Sequence, residues 1–157
     1  MIIVGYQGIG KSTISSADNG FIDLESSNFF VNGKRSDDWY IPYCNIAREL
    51  SGQGYDVFVS SHFVVRQELK NYIYTKKVIV CPSVNLKEFW IKRLQKRYYG
   101  TKTDKDFKAL MNATERYEEN IRELLNEDGF DKILIESVPY QLDTILLRYK
   151  RESEGEQ

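Results

Sequence analysis

The most specific chemistry in the chain lies in eight consecutive residues, Gly5-Tyr6-Gln7-Gly8-Ile9-Gly10-Lys11-Ser12. They fit G-x-x-x-x-G-K-[ST], the Walker A pattern. Gly5 and Gly10 permit backbone angles that a side chain forbids, and Gly8 lets the loop wrap closely around phosphate. The backbone N–H groups of Gly8, Ile9, Gly10, Lys11, Ser12 and Thr13 are then expected to converge on phosphate oxygens. Lys11 adds a positive charge at the β and γ phosphates, and the Ser12 hydroxyl is a Mg²⁺ ligand. ATP and Mg²⁺ are the expected cofactors.

Other residues of chemical interest cluster after three more apolar runs. Asn85–Lys102 is strongly basic, with Lys87, Lys92, Arg93, Lys96, Arg97 and Lys102 against the single acid Glu88. Arg93 and Arg97 are four apart and share one helical face, and Phe89, Trp90 and Leu94 can anchor it. Such a helix is either a solvated basic face or a site for anions; the run is short for a nucleic-acid surface. Asp23 and Glu25 fall where ligands of an open α/β sheet bind, beyond the carboxyl end of a strand. Either they work there or they are turn-forming acids. Ser60 stands where a Walker B strand would end in Asp. His62 is the only histidine, and Arg66 follows one helical turn later. Trp39, Tyr40 and Tyr43 are suited equally to stacking a base or to filling a core. Glu136, ending the last apolar run, reads as structural.

These residues need a frame. Met1–Gly5, Phe21–Leu24, Val57–Ser60, Lys77–Cys81 and Lys132–Glu136 read as strands, mostly continuous in apolar character and so covered on both faces. Helices are expected at Lys11–Ala17, Asp38–Leu50, Phe63–Tyr72, Leu86–Tyr99, Asp104–Asn126 and Leu142–Lys150. The longest repeats Phe107, Leu110, Met111, Thr114, Tyr117, Ile121, Leu124 and Leu125 at helical spacing. Alternation of strands and helices implies an α/β domain with a mainly parallel sheet. The 157 residues are enough for one domain, residues 1–150, with Arg151–Gln157 a frayed polar tail. A net charge of −1 gives no reason to expect nucleic acid. No apolar run is long enough to span a membrane, no signal peptide is expected, and Cys44 and Cys81 fit no metal or redox spacing. A cytoplasmic protein with reduced thiols is the simplest expectation.

With the loop Gly5–Ser12, the short length and this element order, the chain resembles the small P-loop kinases of the nucleoside-monophosphate-kinase group, which includes adenylate, deoxynucleotide, shikimate and gluconate kinases. The resemblance implies a three-layer α/β/α fold, a five-stranded parallel sheet in order 2-3-1-4-5 and a helical lid, here about residues 85–103. It implies transfer of the γ-phosphate of ATP to a small-molecule acceptor, a nucleoside monophosphate first and a hydroxyl metabolite second. A P-loop protein that only binds or slowly hydrolyses nucleotide is the reading outside that class. By the same resemblance Lys11, Arg93 and Arg97 stabilise the transferring group, with Arg116 a third arginine. Asp23 holds the acceptor hydroxyl or a metal-bound water, His62 and Arg66 face the acceptor, and the loop Ser137–Gln141 lies near the adenine.

Overall fold

Ile2, Ile3 and Val4 are wholly buried, as expected of a strand at the centre of a parallel sheet covered on both faces. In the computed structural model, which describes residues 1–16 and 19–155, this strand is β1 (Ile2–Gly5). It pairs in parallel with β3 (Asp56–Val59) on one side and β4 (Lys77–Pro82) on the other. Ile3 lies opposite Phe58 and Val78. Short β2 (Phe21–Asp23) and outer β5 (Asp131–Ile135) complete a five-stranded sheet in the order β2-β3-β1-β4-β5. All pairings are parallel. The expected sheet order is therefore the observed one, and the strand bounds agree to a residue.

Six helices accompany the strands among the described residues: α1 (Lys11–Ser15), α2 (Tyr40–Gly52), α3 (Phe63–Leu69), α4 (Lys87–Thr101), α5 (Asp104–Leu125) and, after the last strand, α6 (Leu142–Ser153). The chain steps from β1 to β2 on one side and later from β3 across to β4, so β1 has neighbours reached by connections of opposite direction. The crevice beyond its carboxyl end is the place where such sheets bind ligands.

Three elements depart from expectation. First, α1 ends at Ser15 and Ala17 lies outside the described residues. Second, α3 stops at Leu69 rather than Tyr72. Turn bonds from Asn71 to Glu68 and from Tyr72 to Leu69 replace the helical ladder there, and Lys77 Nζ donates to the Tyr72 and Thr75 carbonyls. Third, the expected frayed tail is helical as far as Ser153. Lys150 pairs with Asp56 at 3.0 Å, tying α6 to the start of β3. Tyr149 Oη also donates to Asp131 at 2.6 Å.

The long α5 is not one smooth helix. Arg116 has φ −137° and ψ 23°, breaking the helical geometry. Thr114 Oγ1, one turn after Leu110, donates to the Leu110 carbonyl at 2.7 Å, a back-bond that bends helices. The two residues Lys102, with φ 56°, and Thr103, whose hydroxyl accepts from Asp106 N, join α4 to α5. No helix among the described residues is long and apolar enough to cross a membrane.

Candidate functional site

The glycine loop runs from the end of β1 to α1 and needs its glycines for separate reasons. Gly8 and Gly10 have φ of 85° and 105°, the left-handed region that L side chains avoid. A Cβ at Gly5 would stand 2.6 Å from Cδ1 of the buried Ile9. Because α1 is only five residues long, its dipole is weak, and positive potential must come from loop amides and side chains.

Side chains from α4 and the β5–α6 connection hold the loop from outside. Trp90, wholly buried, donates its indole N–H to the Gln7 carbonyl at 2.8 Å. Tyr140 stacks on Trp90, with ring planes within 10°, and donates its hydroxyl to the Ile9 carbonyl at 2.8 Å. A third tie comes from Gln7 Nε2, which donates to the Ala109 carbonyl of α5 at 3.1 Å. The basic helix is therefore anchored on the loop through its apolar side, as its aromatic content suggests.

Around the loop lies a cleft of about 990 Å³. Lys11, Ser12 and Thr13 line it beside Asp23, Glu25, Ser60, His62, Arg66, Arg93 and Arg97. The structure thus brings the expected residues to one cleft, with Gly8 and Gly10 also in its wall; Ile9 instead points its side chain into the core. Arg93 spreads its guanidinium over Trp90 and Tyr140, 5.4 and 5.8 Å from the ring centroids. A Cβ at Gly10 would be 3.8 Å from Arg93 Nη2. Arg97 shares that helical face, but its Nε is 3.4 Å from the buried Asp106 carboxylate, which also accepts from Thr101 at 2.5 Å.

Charge is concentrated at the other wall. Burial lowers the Lys11 pKa, while Asp23 and Glu25 pull it back up. Burial raises the Asp23 pKa, helped by the Glu25 carboxylate and opposed by Lys11. Burial works in the same direction on Glu25, but the Lys105 ammonium, 2.6 Å away, outweighs it and leaves Glu25 below the ordinary range. Lys105 belongs to α5, so this ion pair spans the cleft from α5 to the end of β2.

His62 precedes α3 and holds Ser60, its Nδ1 2.7 Å from Ser60 Oγ. Its ring stands edge-on to Trp39 at 5.5 Å. Burial first, then Arg35 and Lys11, depress its pKa, so the imidazole is neutral near pH 7. Tyr43 is core, not a stacking platform: it is fully buried, donates to the Leu24 carbonyl and accepts from Ser60 N. It thereby clasps the ends of β2 and β3. Trp39 is roofed by Arg35, whose guanidinium lies 3.9 Å from the ring centroid.

Two arginine expectations require correction. Arg66 lies in the cleft wall, but its Nη1 and Nη2 are paired with Glu127 and Glu123 and its Nε donates to the Ser61 carbonyl. Lys70 also pairs with Glu127. Three of its five donors are committed in this way, so Arg66 ties α3 to α5 rather than standing free for an acceptor. Arg116 is no third arginine of the cleft, because it sits exposed at the break in α5 and pairs with Glu119 at 2.9 Å.

Arg35 and Lys105 also line the cleft, though the sequence does not single them out. Nothing local distinguishes them from ordinary surface cations, except that Arg35 lies between the aromatics Phe30 and Trp39. A second hollow of about 730 Å³ lies between β5 and α6, lined by Lys132, Leu134, Tyr149 and others. It contains no residue of the glycine loop and only Tyr140 from the loop's supports.

No protein-family model and no curated protein matches the chain. A crystal structure of an uncharacterized protein from Eubacterium ventriosum is similar, at TM-score 0.51 over 97% of this chain and 97% of that one. Sequence identity is 15%, so what is shared is the fold.

Proposed function

We propose that the chain is an ATP-dependent phosphotransferase with a P-loop NTPase fold, passing the γ-phosphate of ATP to a small acceptor, first of all a nucleoside monophosphate. The observation that carries this reading is the convergence on one cleft of the Walker A residues, the Arg93 and Arg97 face and the Asp23–Glu25 acids. Amides of Gly8 to Thr13 and the Lys11 ammonium bind the donor phosphates. Arg93, preorganised on two aromatic rings and free of carboxylate partners among the described residues, offers a planar fork to charge spread over several oxygens. Arg97 adds to this charge while anchored by Asp106.

Asp23 orients the acceptor. Its raised pKa marks it as the more basic of the two acids, suited to accept a hydroxyl proton. The Ser12 hydroxyl is an oxygen donor, which suits Mg²⁺; Ser12 would hold it, and it would neutralise charge on the donor phosphates. Ser60 in place of a Walker B acid is compatible with a metal that keeps several waters. Cys44 and Cys81 are free and buried, their thiols pushed up to about 12 by burial. Inert reduced thiols suit a cytoplasmic setting.

The test is ADP formation from ATP and Mg²⁺ with a panel of nucleoside monophosphates and polyols. A kinase releases ADP only when an acceptor is present. Lys11→Ala is expected to lower that activity by orders of magnitude, because electrostatic stabilisation dominates phosphoryl transfer, and to abolish stabilisation of the fold by nucleotide. Acceptor-independent ADP release would identify a slow NTPase instead. Full activity in a folded Lys11→Ala chain would refute both.

A further inference from the structure

The cleft has two arms of different chemistry. Over Lys11 it is ionic, with Arg93, Asp23, Glu25 and Lys105. Its other arm lies between the first half of the glycine loop and α5, whose Lys108 and Glu123 also line the cleft, and holds four residues, Tyr6, Gln7, Asn112 and Asn120. None of these four carries a charge at neutral pH. Tyr6 is 2% exposed and packs edge-on to Tyr117 at 5.9 Å. Its hydroxyl has no hydrogen-bond partner among the described residues. Burial raises its pKa, and the Gln7 and Asn120 amides, near its oxygen but outside hydrogen-bond geometry, pull it part of the way back. Buried hydroxyls without a partner are rare, and one in the wall of a cleft calls for something that meets it there.

The break in α5 adds to this arm. Residues eight apart in an unbroken helix stand about 12 Å apart along its axis. Here Asn120 Nδ2 donates to Asn112 Oδ1 at 2.5 Å, so the break at Arg116 folds the two amides together. That bond and the one from Gln7 to Ala109 orient three amides and use only part of their capacity, since each amide has two donors and an accepting oxygen. The neighbouring Arg66, Lys70, Glu123 and Glu127 cluster balances two positive charges with two negative ones, so that cluster offers no net charge to an anion.

We infer that this arm recognises the acceptor, and that Tyr6, Asn112 and Asn120 read an uncharged group rich in hydrogen-bonding atoms, either the edge of a nucleobase or the hydroxyls of a polyol. Oriented amides match a planar edge that both donates and accepts, as they do on adenine. The inference rests on the phosphotransfer reading for the identity of its ligand as the acceptor. The subsite itself is tested separately.

Calorimetric titrations use the whole chain with a non-hydrolysable ATP analogue, with adenosine, guanosine, cytidine and thymidine, and with sorbitol and myo-inositol. One nucleoside or one polyol is expected to bind, and which of the two does so identifies the source of the chemistry. Asn120→Leu should weaken that binding on the order of tenfold or more, because a site built to pair polar edges rejects ligands it cannot pair. Tyr6→Phe, which keeps the ring and its packing, should weaken it severalfold. Asn120→Asp, which exchanges a donor for an acceptor, should reorder preference among the bases. Affinity for the ATP analogue should stay within about twofold in all three, an outcome that general loss of structure would not give. Tyr6→Phe keeps the test decisive if either Asn120 variant fails to fold. Binding of the ATP analogue with no nucleoside or polyol binding would overturn the inference and leave the donor site standing. Equal probe binding by wild type and variants would overturn it as well. Asn120-dependent nucleoside binding without analogue binding would retain the subsite and remove the phosphotransfer reading.

Discussion

Replacing Gly8 with Ala tests whether α4 is seated on the glycine loop. The new Cβ would stand 3.1 Å from Trp90 Nε1 and 3.2 Å from Leu94 Cδ2, and both side chains are essentially fully buried. Two costs follow. The left-handed φ of 85° costs a non-glycine residue about 1–2 kcal/mol. The close contacts push Trp90 and Leu94 out by a few tenths of an ångström, a misfit worth about 1–3 kcal/mol with some loss in the Trp90–Gln7 hydrogen bond. Gly54→Ala is the control. Gly54 has φ 95° with nothing within 4 Å of an added Cβ, so it carries the first cost alone, and the gain from a stiffer unfolded chain is common to both. Urea unfolding of the two variants should therefore differ by about 1–3 kcal/mol, Gly8→Ala being the less stable. If they fall within about 0.5 kcal/mol of each other, the scatter of ordinary surface changes, then Trp90 and Leu94 do not press on Gly8 and the anchored-helix geometry is wrong.

The other predictions concern charged side chains. Arg93→Lys should lower turnover far more than ATP affinity, because the planar fork is lost where charge develops. Arg97→Ala should in addition lower the melting temperature, since it strips the buried Asp106 of a partner, whereas Arg93→Ala should not; calorimetric melting of both variants beside steady-state kinetics checks this. Glu127→Gln should cost about 3 kcal/mol, because it breaks a buried pair and leaves Arg66 and Lys70 undercompensated. Burial raises the pKa of Glu127, but the bonds from Lys70 and Gln67 and the Arg66 charge outweigh that and hold it below the ordinary range. A depressed folded-state pKa means that this stability is present above the unfolded pKa and is lost as pH falls through the folded one. Between about pH 7 and about pH 3 the wild type should thus lose more stability by urea titration than Glu127→Gln does; equal losses would refute the assignment.

The readable parts of this protein are those whose causes are local. The glycine loop is legible because close backbone approach, left-handed angles and a lysine must come from neighbouring residues. Ile2–Val4, Asp56–Val59 and Lys77–Pro82 are legible because burial on both faces leaves an unbroken apolar run. The role of Arg66 is not legible for the opposite reason: its spacing from His62 is local, but the carboxylates that claim it are 57 and 61 positions away. Lys105 reaches Glu25 across 80 positions, and no pattern in either segment announces the other. The break in α5 escapes notice because an amphipathic repeat records which face is apolar, and that face continues from Leu110 through Tyr117 to Leu124 on both sides of the bend. Asn112 and Asn120 look like two unrelated surface amides until the bend joins them.

The hydrogen bonds from Trp90 to the Gln7 carbonyl and from Tyr140 to the Ile9 carbonyl bear on what the loop does with an anion. The Gln7 carbonyl and the Gly8 N–H are opposite ends of one peptide group, as are the Ile9 carbonyl and the Gly10 N–H, and in a trans peptide the two ends point in opposite directions. Each of these peptides is thus gripped at its oxygen by an aromatic donor while its hydrogen is turned the other way. A donor on the oxygen polarises the whole group and makes its N–H the stronger donor, and an anion on the N–H makes the oxygen the stronger acceptor. An anion bound in the loop would therefore tighten the hold of α4 and of the β5–α6 connection on it, and loosening either aromatic would weaken that binding. Two flat peptide units, each read from both ends, couple the helix on the outside to the charge on the inside without any part of the chain having to move.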